Sequence, residues 1–317
     1  MKIVILDGYC LNPGDLSWDG FKELGDCVIY DYTDASEVLQ RAKDADVLIT
    51  NKTVISGDMI RNLPRLKYIG VLATGYNVVD IAAAADCNIT VTNIPAYGTD
   101  SVAQMTFAHI LNILHRIDHY TQENQEGKWQ KEGNFCYWDT PLMELAGKKI
   151  GIVGMGNTGK AVGRIAKAFG MIVYAYTSGD ISSLPSGTIK ANLEVLFKEC
   201  DIVTLHCPLT PDTQGFINKK LLNLMKPTAI LINTARGQLI NEADLAEALN
   251  NNVLYAAGVD VLSTEPPTND NPLLHARNCF ITPHIAWATL EARKRLMKQA
   301  ENNLKAFLNG NYLNKVN

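Results

Sequence analysis

The sequence predicts an α/β fold class with two doubly wound parallel-sheet domains, and three observations support that prediction. Short apolar runs alternate with helical patterns, which is typical of the strand–helix units that build a parallel sheet. The alternation occurs once before residue 98 and again after residue 148. The chain of 317 residues is also long enough for two domains, and 47% of its residues are hydrophobic, which supplies a large core.

Composition argues against several classes of protein and of site. A net charge of −4 argues against the basic surface of a nucleic-acid binder. No apolar run approaches the roughly 18 residues of a membrane span, so we expect no membrane partner. The 7 cysteines are scattered without a Cys-x-x-Cys pair, which favours reduced thiols in the cytoplasm. His115 and His119 are spaced as i and i+4, but without a third ligand nearby we predict no metal site.

The first series of elements begins with residues 2–6, an apolar run that an acid cuts short and that predicts a buried strand. A helix is predicted at residues 18–24, and further strands are predicted at residues 28–30, 47–50, 68–73 and 90–92. Residues 100–119 then predict one long helix with Ser101 as its N-cap. A polar, aromatic stretch at residues 128–137 separates this helix from the second series.

The second series starts at residue 148 and predicts another doubly wound unit. Its strands are expected at residues 149–153, 171–176, 202–205, 229–233, 256–259 and 279–282. The last helix, residues 289–308, has no strand after it, so it has to pack on an existing unit. Packing on the first unit would make that domain discontinuous, with residues 1–99 and 290–317 on either side of a domain of residues 100–289.

A glycine loop predicts that the second unit binds a dinucleotide. Strand 149–153 leads into Gly154-Met155-Gly156-Asn157-Thr158-Gly159, and a helix is predicted over residues 160–169. Gly154 permits the tight turn, Gly156 lets the backbone approach a pyrophosphate, and Gly159 lets helix and strand pack closely. Unpaired N–H groups at the helix start, near Asn157 and Thr158, would bind the pyrophosphate.

The residues after the next strand leave the choice between NAD and NADP open. A carboxylate there would bind the 2′-hydroxyl of NAD, but the strand ends at Thr177, and Asp180 comes three residues late. Hydroxyl groups without a carboxylate would tolerate the extra phosphate of NADP, yet no Arg or Lys follows before Lys190. We expect NAD or NADP as the cofactor, with a slight preference for NAD.

Three polar residues in loops after strands of the second series predict a catalytic group. Arg236, Glu265 and His284 each follow the carboxyl end of a strand, where open α/β sheets bind their ligands. The planar guanidinium of Arg236 can bind the carboxylate and keto oxygen of a 2-keto acid. His284 can protonate that oxygen as hydride arrives, and Glu265 would orient His284 and favour its protonated form.

Two loops of the first unit are candidates for binding a small-molecule substrate. The segment Val71-Leu72-Ala73-Thr74-Gly75-Tyr76-Asn77 follows a strand, and small residues of this kind can form an anion nest for a carboxylate. Asn51 and Lys52 follow strand 47–50, and Lys52 is long enough to reach a substrate hydroxyl or carboxylate. The predicted substrate contacts are Asn51, Lys52, Ala73, Thr74, Gly75 and Arg236.

These motifs resemble those of the D-isomer-specific 2-hydroxyacid dehydrogenases over essentially the whole chain. The most specific stretch is Leu231-Ile232-Asn233-Thr234-Ala235-Arg236-Gly237-Gln238-Leu239-Ile240. The segments Leu205-His206-Cys207-Pro208-Leu209-Thr210-Pro211-Asp212-Thr213 and Pro283-His284-Ile285-Ala286-Trp287-Ala288-Thr289 are also similar to family motifs. The resemblance implies a flavodoxin-like substrate domain, split in sequence, with a Rossmann NAD(P)-binding domain inserted in it.

The resemblance also implies roles for single residues. It implies Arg236 as substrate clamp, His284 as general acid/base with Glu265 as its partner, and Asp260 as the holder of the nicotinamide carboxamide. Further cofactor contacts are implied at Cys207, Pro208, Thr213, Thr234, Ala235, His284 and Ala286. A homodimer through the nucleotide domain is implied, and Trp138 either approaches the active site, from a partner subunit, or packs at an interface or in the core.

Two departures from the family pattern stand out. The usual ribose-binding Asp aligns with Thr177, and Gln104 replaces a common Glu. The segments 51–53 and 72–77 are similar to the glycerate dehydrogenase (hydroxypyruvate reductase) branch, so we expect reduction of a small 2-keto acid, foremost hydroxypyruvate to D-glycerate. Glyoxylate and pyruvate are alternative substrates, and a nucleotide-sensing scaffold, like the corepressors that resemble this family, is the alternative outside enzymes.

Overall fold

The computed structural model describes all 317 residues and divides them into two compact units. The first, named here the split unit, comprises Met1–Gly98 and Ala288–Asn317, and the second, the inserted unit, comprises Thr99–Trp287. Each unit contains one parallel β-sheet with helices, which confirms the predicted fold class. No helix combines the length and the apolar character that crossing a membrane requires.

The split unit is built on a five-stranded sheet. Its strands are β1 (Lys2–Ile5), β2 (Asp26–Ile29), β3 (Val47–Thr50), β4 (Tyr68–Val71) and β5 (Thr90–Thr92). All pairs are parallel, in the order β2-β1-β3-β4-β5. The helices are α1 (Asp19–Lys22), α2 (Val38–Ala42), α3 (Gly57–Arg61), α4 (Ile81–Asp86) and, from the end of the chain, α12 (Leu290–Leu308).

Burial explains why these short apolar runs become strands. Strands β3 and β4 are buried along their whole length, as expected for central strands of a parallel sheet.

Helix α12 is held within the split unit by Arg293, whose guanidinium donates two hydrogen bonds to Asp15 at 2.7 and 2.6 Å. The Arg293 side chain is also almost completely buried, so this bidentate pair positions the start of the helix.

The inserted unit is built on a seven-stranded sheet. Its strands are β6 (Lys149–Val153), β7 (Ile172–Tyr176), β8 (Thr188–Lys190), β9 (Ile202–Leu205), β10 (Ile230–Asn233), β11 (Ala256–Val259) and β12 (Cys279–Ile281). All are parallel, in the order β12-β11-β10-β9-β6-β7-β8. The chain order reverses between β6 and β9, and such a switch point is where doubly wound sheets bind ligands.

Helices and apolar clusters cover both faces of the inserted sheet. The helices are α5 (Thr99–His115), α6 (Ile117–Gln125), α7 (Lys128–Glu132), α8 (Asn157–Ala168), α9 (Leu193–Glu199), α10 (Lys219–Leu222) and α11 (Glu242–Asn250). Alternate residues of β10 belong to different clusters, Ile230 and Ile232 to one and Leu231 to the other. Both faces are therefore buried, which accounts for the continuous apolar runs in the sequence.

Two predictions about the segment after residue 98 are wrong. The single helix over residues 100–119 is two helices, α5 and α6, because Arg116 between them has φ +48° and ψ +43°. A left-handed residue interrupts helical hydrogen bonding and turns the chain. Ser101 is not an N-cap, because α5 already begins at Thr99 and Ser101 is buried inside its first turn.

Two further differences concern elements near the glycine loop. The helix predicted to begin at Lys160 begins at Asn157, so the last three residues of the glycine motif, Asn157, Thr158 and Gly159, belong to the first turn of α8. Strand β8 was not predicted, because it has only three residues and two of them are exposed at the edge of the sheet. A short exposed strand has no apolar run that distinguishes it from a loop.

Candidate active site

The glycine loop between β6 and α8 leaves open backbone where a dinucleotide would lie. Gly154 has φ +97°, and a Cβ there would stand 2.6 Å from the backbone nitrogen of Cys207. A Cβ on Gly159 would stand 2.0 Å from the carbonyl oxygen of Gly154, so the turn and the helix are too close together for a side chain at this position. A Cβ on Gly156 would meet nothing within 4 Å. This position is therefore free for another molecule to approach the backbone, as a pyrophosphate requires.

The start of α8 adds hydrogen-bond donors to this open backbone. Gly156 is the N-cap, and the N–H groups of Asn157, Thr158 and Gly159 lie in the first turn, where a helix offers them no partner of its own. The helix has 12 residues, and its dipole favours an anion at this end. The residues present thus fit a dinucleotide cofactor bound through its pyrophosphate.

The strand that follows the glycine loop ends without a carboxylate. Strand β7 ends at Tyr176, and Oγ1 of the next residue, Thr177, accepts a hydrogen bond from the Gly179 backbone N–H at 3.2 Å. Asp180 comes after this turn, with an exposed side chain. Thr177 therefore presents a hydroxyl group at the position where a ribose is expected.

The loop after β9 lies against the glycine turn. The His206 backbone N–H donates to the Val153 carbonyl at 2.7 Å, which places Cys207 beside the turn. Burial raises the pKa of the Cys207 thiol to about 11, so this residue stays protonated at neutral pH. The loop is closed by the Thr213 hydroxyl, which donates to the Pro208 carbonyl at 2.9 Å.

Arg236 follows β10 in a turn that the side chain of Asn233 fixes. Asn233 is fully buried; its Oδ1 accepts from the Ala235 N–H at 3.0 Å and its Nδ2 donates to the Arg236 carbonyl at 2.9 Å. The Arg236 side chain is exposed, and one of its N–H groups donates to the Ala235 carbonyl at 2.7 Å. Its other donors are left for a ligand. Thr234 is buried, with its hydroxyl 3.1 Å from that of Thr106 on α5.

His284 and Glu265 form a hydrogen-bonded pair. The His284 Nδ1 lies 2.6 Å from the Glu265 Oε2, and the two side chains are 27% and 34% exposed. Because Nδ1 is engaged, Nε2 is the ring atom that can exchange a proton with a ligand. His284 has φ +55°, which is uncommon for a residue with a Cβ, and its N–H donates to the Asp260 carbonyl at 2.8 Å. That hydrogen bond helps to hold the backbone of His284 in this left-handed conformation.

Asp260 braces the loop that carries His284. The Asp260 side chain is buried, and its Oδ1 and Oδ2 accept the backbone N–H groups of Ile285 and Ala286 at 2.9 and 2.8 Å. Its Oδ1 also accepts from the Thr282 hydroxyl at 2.6 Å. Since a carboxylate oxygen can accept two hydrogen bonds, Oδ2 retains capacity for one more donor.

The loops that carry Arg236, Asp260 and His284 begin at the carboxyl ends of three strands of the inserted sheet, and these ends form one edge of the sheet. Strands β10, β11 and β12 are adjacent, with Asn233 opposite Val259 and Val259 in turn opposite Ile281. An exposed guanidinium can bind an anion such as a carboxylate. An imidazole paired with a carboxylate can transfer a proton. This edge therefore offers the two functions that reduction of a keto acid needs from a protein.

The first candidate loop of the split unit is held by Asp7, which sequence analysis treated only as the end of a strand. The Asp7 carboxylate accepts the backbone N–H groups of Asn51, Lys52 and Thr53 at 2.7, 2.5 and 2.8 Å. These bonds fix the loop after β3 and leave the Lys52 side chain exposed. An acid at the carboxyl end of β1, next to β3 in the sheet, is the signal that could have identified this role.

The second candidate loop of the split unit follows β4. The Asn51 side chain connects the two loops, because its Nδ2 donates to the Leu72 carbonyl at 2.9 Å. The Thr74 hydroxyl donates to the Ile94 carbonyl at 2.8 Å, which anchors the loop from its other side. The backbone N–H groups of residues 73–75 make no hydrogen bond within the unit, so they can serve the predicted anion nest.

The statement that His119 has no third ligand nearby is wrong. His119 lies 3.0 Å from Asp139 and 3.5 Å from Glu123, while His115 belongs to the preceding helix. Lys128 also contacts both carboxylates, Glu123 at 2.7 Å and Asp139 at 2.9 Å. The pKa of Asp139 is lowered to about 2, chiefly by its bond to Lys128, so an ammonium group already offsets one of the two negative charges of this cluster.

Glu242, at the start of α11, is a further residue that sequence analysis missed. Its Oε1 and Oε2 accept from the backbone N–H and the hydroxyl of Ser263, both at 2.6 Å. Oε2 also accepts from Asn271 at 3.0 Å. Glu242 thus fixes the loop that carries Glu265, and no short sequence pattern links these residues because 21 positions separate Glu242 from Ser263.

Known proteins are similar to this chain over its whole length. A family model described as the NAD binding domain of D-isomer specific 2-hydroxyacid dehydrogenases matches residues 107–286. A hydroxypyruvate reductase from Blautia hydrogenotrophica is 50% identical, over 100% of both sequences. A glycerate dehydrogenase from Methylorubrum extorquens is 39% identical, over 88% of each. The similarity therefore extends well beyond the glycine loop.

Solved structures show the same fold. A Thermus thermophilus protein has a TM-score of 0.87 and 33% identity, with all of both chains covered. An NADPH-dependent glyoxylate/hydroxypyruvate reductase from Sinorhizobium meliloti, in complex with NADP and malonate, has a TM-score of 0.83 and 28% identity. That match covers 99% of this chain and 96% of the other.

Proposed function

The chain belongs to the D-isomer specific 2-hydroxyacid dehydrogenase family, and from that premise we propose that it reduces hydroxypyruvate to D-glycerate with NADH or NADPH. The choice of substrate is supported by the hydroxypyruvate reductase and the glycerate dehydrogenase among its relatives. The observation that carries the proposal is the 2.6 Å pair of His284 and Glu265, on the sheet edge that also bears Arg236. These residues supply the proton donor and the carboxylate-binding cation of a keto-acid reductase.

The inserted unit is proposed to hold the cofactor, which supplies a hydride when it is bound. Its open backbone at Gly156 and the start of α8 bind the pyrophosphate, and Thr177 contacts the ribose. The spare acceptor capacity of Asp260 suits the carboxamide N–H groups of a nicotinamide. The remaining contacts are proposed at Gly154, Asn157, Thr158, Gly159, Cys207, Pro208, Thr213, Thr234, Ala235, His284 and Ala286.

His284 is proposed to protonate the keto oxygen through Nε2. Glu265 accepts the Nδ1–H, so it holds the ring in one orientation and leaves the Nε2 proton as the one that can be transferred. As negative charge develops on the oxygen, the Nε2 proton moves to it, and in the reverse reaction Nε2 takes the proton back. Arg236 binds the carboxylate and orients the carbonyl group, which lowers the entropic part of the barrier.

The split unit is proposed to bind the substrate, with the free N–H groups of residues 73–75 around its carboxylate. Lys52 and Asn51 would contact the hydroxyl end of hydroxypyruvate. Asp7 supports both residues by holding the backbone of their loop.

A matrix of substrates and cofactors tests the proposal. Initial rates of cofactor oxidation are measured with hydroxypyruvate, glyoxylate and pyruvate, each with NADH and with NADPH. We expect the highest kcat/KM for hydroxypyruvate. A higher value for glyoxylate or pyruvate would reassign the substrate, and no oxidation with any of the three would refute the enzyme and favour a nucleotide-sensing scaffold.

We also propose that the chain forms a homodimer through the inserted unit, with Trp138 in the interface between the subunits. Large exposed apolar side chains concentrate in residues 117–142, with Phe135 94%, Trp138 66% and Ile117 66% exposed. A patch of this kind on one segment is typical of a protein interface. Light scattering of the wild-type chain should give twice the monomer mass, and Phe135→Ser should weaken the dimer. A monomer at micromolar concentration would contradict the proposal.

A cytoplasmic location is proposed from the thiols, because all 7 cysteines are free in the structure. Thiol titration under denaturing conditions, on protein purified without reductant, should count every cysteine. Disulfide-linked peptides in native protein would contradict this location.

A further inference from the structure

We propose that this chain binds NADPH in preference to NADH and that Lys190 holds the 2′-phosphate. The inference rests on the proposed function only in that it assumes a nicotinamide dinucleotide on the glycine loop. It reverses the slight preference for NAD that the sequence alone suggests.

The relevant position is the end of β7, the strand after the glycine loop. In doubly wound nucleotide domains a carboxylate at this point binds the 2′-hydroxyl of NAD, and a nearby cation accommodates the 2′-phosphate of NADP. Thr177 stands at the strand end here, and the exposed Ser178 is next to it. Hydroxyl groups repel neither cofactor, so the preference depends on the charges that lie nearby.

Lys190 is a positive charge that strand pairing brings to this position. Strand β8 runs parallel to β7 with Lys190 opposite Ala175, so Lys190 lies at the same edge of the sheet as Thr177. Its Nζ donates to the Gly179 carbonyl at 2.7 Å, in the turn that also includes Thr177 and Ser178. This bond holds the ammonium group on the turn and uses one of its three N–H donors. Two donors remain for phosphate oxygens.

Two other charged side chains belong to the same region. Asp180 is exposed and would repel a phosphate, but its side chain follows the turn and can remain in water. Lys167, on α8, donates to the Ser186 carbonyl and to the Thr188 hydroxyl, at the amino end of β8. Lys167 therefore faces the opposite edge of the sheet and provides a matched control for Lys190.

Equilibrium binding of the two cofactors to the full chain tests the inference. Quenching of tryptophan fluorescence gives the Kd of NADPH and of NADH for the wild type, Lys190→Gln and Lys167→Gln, without any keto acid present. We expect the wild type to bind NADPH more tightly. Lys190→Gln should raise the Kd of NADPH about fivefold and leave that of NADH within about twofold, because only the phosphate loses an ion pair.

Lys167→Gln should leave both Kd values unchanged, and thermal unfolding confirms that each variant is folded. Tighter binding of NADH by the wild type, or an equal change of both Kd values in Lys190→Gln, would overturn the proposal. If Asp180→Asn weakened NADH binding selectively, Asp180 would be the ribose-binding acid instead. Failure to reduce hydroxypyruvate would refute the proposed function alone, whereas failure to bind either cofactor would refute both.

Discussion

His284 shows how a single residue can be specified from three directions. Its Nδ1 lies 2.6 Å from the Glu265 carboxylate, and its backbone N–H donates to the Asp260 carbonyl. Its φ of +55° places its backbone in the left-handed region. The Asp260 carboxylate also fixes the two residues that follow. The imidazole therefore keeps one orientation, with Nε2 available for chemistry.

The variant His284→Asn tests this role with little disturbance of the backbone, because asparagine tolerates positive φ better than alanine does. We expect kcat with hydroxypyruvate to fall about 10²–10⁴-fold, the usual range for loss of a general acid. The Kd of NADH should stay within about twofold. A comparable loss of NADH affinity would mean that His284 serves cofactor binding and that the acid lies elsewhere.

The variant Gly156→Ala distinguishes a role of this glycine in cofactor binding from a role in folding. The added methyl group meets nothing within 4 Å, so the midpoint of thermal unfolding should not fall. The same methyl would occupy the space of a pyrophosphate, and the Kd of NADH should rise about tenfold. Gly163→Ala on the same helix is the control, since its Cβ is 3.5 Å from the nearest atom and faces Ile152. Unchanged NADH binding in Gly156→Ala would contradict the assignment.

The sequence identifies residues whose chemistry follows directly from a strand end, and it misses those that depend on neighbouring strands. Arg236, Glu265 and His284 could be proposed because each is the polar residue in a loop after an apolar run. Asp7 and Lys190 act on loops that follow other strands, and only the order of the sheet brings them there.

At the scale of elements, the loops after β10 and β11 pack directly against each other. A Cβ on Gly237 would stand 1.9 Å from the carbonyl carbon of Leu262, and the Gln238 side chain donates to the Ser263 carbonyl at 2.8 Å. The carboxylate of Glu242 holds Ser263 from its other side. The position of Arg236 is thus coupled to the position of the loop that carries Glu265.

Gly237→Ala should separate these two loops. The methyl group meets backbone and has no space, so we expect the free energy of unfolding to fall by about 1–3 kcal/mol, as for overpacked sites. The kcat/KM should fall by more than tenfold, because a displacement of about 1 Å at a catalytic group can cost about 10²-fold. Urea unfolding and steady-state kinetics measure the two effects. Wild-type values of both would show that the loops are independent.

Prediction of whole elements succeeded where burial dominates the pattern. The central strands Val47–Thr50 and Ile202–Leu205 were predicted with their observed bounds, because every residue of both strands is buried and all but one residue of each is apolar. The turn at Arg116 could not be predicted, since nothing in its side chain requires a left-handed backbone. Strand β8 depends on pairing with β7, which local sequence does not record.

At the scale of the whole molecule, a neutral, half-buried histidine connects stability to pH. The His206 Nε2 lies 2.8 Å from the Thr204 hydroxyl, and loss of solvation lowers the pKa of the ring to about 3. In the unfolded chain the same ring titrates near 6.5. Below that pH the unfolded state binds a proton that the folded state does not, so His206 makes the free energy of unfolding fall as pH falls.

The expected dependence is measurable between pH 6.5 and pH 5, above the range in which carboxylates titrate. One such histidine contributes a slope of at most about 1.4 kcal/mol per pH unit. His206→Asn should remove this share, so its unfolding midpoint should change less with pH than that of the wild type. The exposed His275, changed to Gln, is the control and should keep the wild-type slope. Equal slopes in all three proteins would contradict a neutral His206.

The central claim concerns the product, and chiral analysis of the product tests it most directly. The protein is incubated with hydroxypyruvate and a limiting amount of NADH or NADPH until oxidation is complete, and glycerate is resolved by chiral chromatography. The account predicts D-glycerate in an amount equal to the cofactor oxidised, formed at a much lower rate by His284→Asn. L-glycerate, or cofactor oxidation without glycerate, would contradict it.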